Sequence, residues 1–180
     1  MPWKVTSAPA TEPVTTAEAK LHLNIPTAVT DWDTLIEELI KSATSHVEDL
    51  TSQCLITQTL QEYRDNLDEL QYFGEITLAR YPVSAITHIK YTDTAGAQQT
   101  WDSANYRTDL VSRRPRIALA TAGTLPTTTD EVNSIEIQYI AGYGNAAAVP
   151  AEFKTAIKLL VAEMFENREN RAYTLPDRLH

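Results

Sequence analysis

The groups in this chain that could do chemistry are few: four histidines, one cysteine, two adjacent acidic pairs and one arginine cluster. His22, His46, His88 and His180 are scattered and share no metal-ligand spacing, so they read as separate side chains rather than as a metal site. Cys54, beside Leu55, reads as a small packed residue. A nucleophilic thiol needs a neighbouring base, and the sequence points to none. Glu37-Glu38 and Glu48-Asp49 could be imagined as acid/base pairs. Adjacent residues on a helix point in different directions, so such pairs make solvated faces rather than dyads. Phosphate-binding glycine loops, nucleophile elbows, zinc-protease helices and paired-cysteine motifs are all missing. The expectation is no catalytic residue, no metal and no cofactor.

Arg113, Arg114 and Arg116, around Pro115, form the one basic cluster. One reading is a hairpin whose arginines meet acidic groups of the same or a neighbouring chain. The other is a loop tip that touches DNA phosphate or a partner's acidic patch. Tyr63, Tyr72, Phe73, Tyr81 and Tyr91 fall in or beside predicted strands, where sheet packing explains them better than base stacking.

The elements that must position these groups change in texture along the chain. Residues 1–14 carry Pro2, Pro9 and Pro13 without periodicity and read as an extended arm. Thr15-Thr16-Ala17-Glu18 has capping-box spacing, which predicts a helix over about 15–23, stopped by Asn24-Ile25-Pro26. Trp32, Leu35, Ile36, Leu39, Ile40, Ala43, Val47 and Leu50 recur at helical spacing, which predicts a longer helix over about 31–51. From about 55 to 141 the texture turns β: Leu55 to Tyr63, Glu75 to Leu78, Val83 to Tyr91, Tyr106 to Leu110, Arg116 to Leu119 and Ser134 to Ile140. Ala141-Gly142-Tyr143-Gly144 closes the last of these, and Val149-Pro150 opens a third helix over about 150–171. Its apolar face would be Phe153, Ile157, Leu160, Val161, Met164 and Phe165. Residues 172–180 read as a flexible tail. The fold class predicted is α+β: two N-terminal helices and a long C-terminal helix packed as a small helical core, with an inserted antiparallel β meander. Leu39, Ile40, Ile157, Leu160 and Val161 are its expected buried anchors.

At 180 residues the chain can bury a sizeable core. A formal charge of −9 argues against generic binding to nucleic acid or anionic membranes. One cysteine allows no intrachain disulfide, which fits a reducing, intracellular assembly site. No signal peptide or membrane-spanning run is apparent.

Several of these segments, in this order, resemble the tailed-phage head–tail connector (adaptor, or head-completion) family. They are Glu12 to Leu23, Leu35-Ile36 with Leu39-Ile40 and Val47-Glu48, Ile56-Thr57-Gln58, Tyr81-Pro82-Val83 with Ile86, and the strand–turn–helix–tail from Ala141. The resemblance spans roughly residues 11–171, which makes 15–171 the connector domain. It implies a structural virion protein at the head–tail junction, without catalysis, assembled in the host cytoplasm from phage or prophage genes. Its partners would be the portal protein, a tail or stopper protein, and further copies in a dodecameric ring. DNA would pass through the channel without sequence-specific binding. The family's C-terminal helix and tail engage the portal, which implies portal-binding roles for Phe165, Arg168, Arg171, Tyr173, Leu175, Arg178 and Leu179. The arginine cluster would lie at a subunit contact or face the channel. Two other readings stay open: a stopper or tail terminator, and a small-molecule-binding or enzymatic domain whose site forms only on folding.

Overall fold

The computed structural model describes residues 2–129 and 131–167, and it has the predicted α+β class with antiparallel sheets. The helices are α1 (Thr16–His22), α2 (Asp33–Thr51), α3 (Asp68–Phe73) and α4 (Ala151–Glu166). The strands are β1 (Trp3–Ser7), β2 (Gln58–Arg64), β3 (Glu75–Thr77), β4 (Val83–Thr92), β5 (Gln98–Thr100), β6 (Tyr106–Asp109), β7 (Arg116–Leu119) and β8 (Ile135–Ala141). Two compact units result: a helical unit of Val14–Val47 with the chain from Pro150 onward, and a β unit of the chain to Pro13 with Glu48–Val149.

In the helical unit the capping box forms as the sequence predicts. Glu18 N–H donates to Thr15 Oγ1 at 3.2 Å, and Thr15 N–H donates to Glu18 Oε2 at 2.7 Å. The Thr15 backbone hydrogen bond holds the Glu18 carboxyl below its usual range. Lys20 is buried at the other end of α1. Its ammonium pairs with the Asp33 carboxylate at the start of α2 and reaches Thr27 O at 3.3 Å. A charge taken out of water needs such a partner, so this pair ties the connection between α1 and α2. Ile36, Ile40, Ala43, Thr44 and Val47 are the buried residues of α2, and Ile157 and Val161 those of α4. α1 packs on α4, and Trp32 meets Phe165 edge to face at 5.9 Å between centroids.

Two expected anchors need correction. Leu39 and Leu160 are only half-buried, and at the ends of the predicted stripe Leu50 is 79% exposed and Trp32 is exposed. Periodicity marks a wide stripe, but only its centre line is covered within one chain. α4 is described as Ala151–Glu166 rather than 150–171, with Pro150 as its N-cap; residues 168–171 and the predicted tail lie outside the described residues.

The β unit holds a five-stranded sheet in the order β1-β2-β8-β4-β5 and a three-stranded sheet in the order β3-β7-β6, all antiparallel. The connectivity departs from a meander, because β8, last in sequence, sits between β2 and β4. Burial alternates along both β2 and β8, which places Leu60, Ile135, Ile137 and Tyr139 in the core with Ile76, Ile89 and Ile117. The other face of the large sheet is polar: Glu136 Oε1 meets Gln61 Nε2 at 3.0 Å and His88 Nε2 at 2.9 Å. Such alternation is what a sheet with one wet face requires.

Gly142 stands at φ 125, and a Cβ there would sit 2.4 Å from Ile56 O. Glycine is therefore the residue that lets β8 end against the 56–57 backbone. Three elements escaped the sequence reading. Trp3–Ser7, inside the expected arm, is an edge strand paired with β2. α3 has six residues and β5 has three, too few to show a period. Tyr72 and Phe73 fall on α3 and are exposed, so they are not packed in a sheet.

Ile157→Ala should cost roughly 2–5 kcal/mol by opening a cavity. Leu160→Ala should cost clearly less in the single chain, and urea unfolding of both variants checks the order. Thr15→Ala should destabilise by about 1 kcal/mol at neutral pH through the lost cap. The sign with pH follows from the lowered Glu18 carboxyl. Its contribution is complete above the unfolded carboxyl pKa and fades as pH falls through the folded one. Because the Thr15→Ala chain keeps the backbone N–H that holds Glu18, wild type and variant should lose this contribution together in acid. Most of their difference, the Thr15 Oγ1 cap on the Glu18 N–H, should persist, which melting at a series of pH values measures.

Candidate functional site

Among the described residues of the β unit, Glu62 stands out: it is wholly buried on the core side of β2 and accepts four hydrogen bonds. Glu62 Oε1 accepts from Arg64 Nη2 at 2.6 Å and from Arg64 Nε at 3.1 Å. Its Oε2 accepts from Ala79 N–H at 3.0 Å and from the Tyr139 hydroxyl at 3.2 Å. Arg64 in turn donates to Glu69 Oε1 and Thr77 O, each at 2.7 Å. Burial beside Glu62 pushes the Tyr139 phenol well up, with desolvation the larger cause. Every member of this buried network is satisfied, so the arrangement reads as structural rather than catalytic. The i, i+2 spacing that puts both charges on one face of β2 was visible in the sequence but went unread.

Cys54 is buried as expected, and burial pushes its thiol up to about 12. A thiol held neutral at ordinary pH is a poor nucleophile. Among the described residues no group of three histidines, cysteines or carboxylates could hold a metal ion, and no helix is long and apolar enough to cross a membrane.

The arginine cluster is the predicted site residue set that the structure builds most fully. Asp109, at the end of β6, accepts from Ser112 Oγ at 2.7 Å, from Ser112 N–H at 3.2 Å and from Arg116 Nε at 3.1 Å. The Ser112 hydroxyl is the first cause that holds the Asp109 carboxyl below its usual range. Arg116 also donates from Nη1 to Glu75 Oε2 at 2.7 Å, so it is taken up within its own chain. Pro115 is buried and its carbonyl accepts from Leu78 N–H at 3.0 Å. With the base of the loop braced in this way, Arg113 and Arg114 are left exposed, with no salt bridge among the described residues. Val111 at the loop tip is 99% exposed. Arg114 also lines a cavity of about 310 Å³ with Ser52, Thr77, Leu78, Ala79 and Tyr81.

Of the residues expected to bind a portal, Phe165 is half-buried on α4 against Trp32. Arg168, Arg171, Tyr173, Leu175, Arg178 and Leu179 lie outside the described residues.

No protein-family model and no curated protein matches the chain. Solved structures do share its fold. A chain from the neck of an empty gene transfer agent particle, with C6 symmetry, matches at a TM-score of 0.80 and 24% identity, covering 98% of this chain and 90% of that one. A chain from the virion of a native gene transfer agent particle matches with the same values. A chain from the neck of the native particle, with C12 symmetry, matches at a TM-score of 0.76 and 24% identity, covering 98% of this chain and 89% of that one. At this identity the likeness establishes the fold, which these chains and this one share over almost their whole lengths.

Arg64→Ala would leave Glu62 buried without its counter-charge. It should cost roughly 3–5 kcal/mol, the range for breaking a buried ion pair. Denaturant unfolding measures it, and a cost within the range of an exposed surface pair would show that the network is not held in the core.

Proposed function

We propose that this chain is a structural protein of the neck of a phage-like particle: a head–tail connector (adaptor) that forms a ring beneath the portal. The observation that carries the reading is the near-full-length likeness to chains from the necks of gene transfer agent particles. The likeness runs over 98% of this chain and 90% of the chain from the empty particle's neck, not over a single shared module of either. The C6 and C12 symmetries of those necks support a closed ring of copies here as well.

The chemistry of the chain supports the same reading. Its charged core groups are consumed by one another, and its acidic surface can line a DNA channel without gripping the duplex. DNA passes through such a ring without sequence-specific contacts. A tail or stopper protein docks on the face opposite the portal. The family resemblance extends this to the chain's end, where Arg168, Arg171, Tyr173, Leu175, Arg178 and Leu179 would meet the portal next to Phe165. A short polar segment of that kind gains its apolar contacts by folding onto a partner.

Deleting residues 172–180 should leave a folded, soluble protein that no longer joins portal-containing heads. Pull-down with portal protein and thermal melting of the truncated chain read the two outcomes separately. Unchanged portal binding would place the portal contact elsewhere. Full-length protein that ignores portal yet enters tails would favour a stopper or tail terminator instead.

A further inference from the structure

Two loops of the β unit carry opposite charge. The first is the braced loop after β6, with exposed Arg113 and Arg114 beside exposed Val111. It stands beside Leu78, Ser52 and Tyr81 around their shared cavity.

The second lies where Arg64, the last residue of β2, pairs with Ile135, the first of β8. There Asp65 Oδ1 accepts from Asn133 N–H at 2.8 Å, and Ser134 Oγ donates to Asp65 O at 2.6 Å. These bonds clamp the turn after β2 to the turn before β8. Asp65, Asp68 and Glu131 are exposed there, and none has a salt bridge among the described residues. Val132 between them is 78% exposed. Each loop thus offers one bare valine near charges of one sign that have no salt bridge among the described residues, and the two signs are opposite.

A closed ring requires this kind of subunit: two different, non-overlapping patches that complement each other, since each copy uses one on each side. We infer that the Val111–Arg114 loop of one copy docks on the Asp65, Asp68 and Glu131 turn of the next. The occupant is a second copy of this chain, and the inference rests on the ring-forming reading above. Arg113 and Arg114 supply forked donors for the carboxylates, and the valines cover each other at the centre of the contact. Both loops are pinned by their own hydrogen bonds before contact, so little ordering entropy is lost on docking.

The test uses the full chain and two charge-reversed variants, Arg113→Glu with Arg114→Glu, and Asp68→Lys with Glu131→Lys. Sedimentation of the wild type should show self-association that weakens as salt is raised. Each variant alone should associate more weakly by about tenfold or more, because like charges now meet. An equimolar mixture of the two should associate again, since acidic loop then meets basic turn and basic loop meets acidic turn. Melting temperatures report that the variants are folded. If either fails to fold, Arg114→Ala and Glu131→Ala replace them, with weakening in the same direction. Three outcomes overturn the inference: a variant that associates like wild type, a mixture no tighter than its components, or a wild type monomeric at its highest soluble concentration. Presence of the wild-type chain in purified particles is scored separately. Its absence there would sink the neck reading without touching the contact between copies.

Discussion

The β unit depends on one constraint: a carboxylate with no access to water must be matched on all sides. Glu62 reaches Arg64 on its own strand, Tyr139 on β8 and the Ala79 backbone, while Arg64 carries the network on to Thr77 O at the end of β3. β2 and β8 belong to the large sheet and β3 to the small one, so one ion pair sets how the two sheets meet. Apolar packing alone tolerates small slips between layers. A buried charge does not, because a lost partner leaves a desolvated group uncompensated.

Once the small sheet is placed, the arginine loop follows. β7 pairs with β3 and β6 pairs with β7, so the turn between β6 and β7 emerges beside Leu78 and Ala79, the same stretch that Glu62 holds. Arg80 extends the pattern. It donates from Nη1 to Glu48 O at 2.5 Å, pairs with the Asp49 carboxylate, and stacks over the Trp3 ring at 4.4 Å. Residues 77–80 are therefore tied by hydrogen bonds and ion pairs to β2 and the end of α2, and by the Arg80–Trp3 stacking to β1. The Trp3–Arg80 stacking accounts for an N-terminal strand whose five residues are all exposed yet which stays paired to the sheet.

The helical unit uses the same device on a smaller scale, with buried Lys20 matched to Asp33 across the α1–α2 connection. Its apolar faces are less completely covered. Leu21, Leu159 and Trp32 are exposed, and Leu39 and Leu160 half-exposed, in the single chain. The β unit likewise exposes Trp3, Leu50, Tyr72 and Phe73 besides Val111 and Val132.

Much of this fold was legible in the amino-acid sequence, and the reason is local. The Thr15–Glu18 cap, the stop at Asn24-Ile25-Pro26, the 3.6-residue stripe of α2 and the alternation of Ser134 to Ile140 all depend on neighbours within a turn or a strand. Six strands and three helices could be placed from such signals alone. Pairing could not, because nothing in β8 says that it lies between β2 and β4 rather than beside β7. Nor could coverage: Leu39 and Ile40 are adjacent and equally apolar, and only the packed unit decides that one is buried and the other half-exposed. For the candidate site the division is the same. The sequence by itself determined that three arginines cluster around Pro115 on an acidic chain. Tertiary structure alone decided that Arg116 is consumed by Glu75 and Asp109 while Arg113 and Arg114 face outward. Those partners come from strands 41 and 7 residues away, a distance that composition and periodicity do not span.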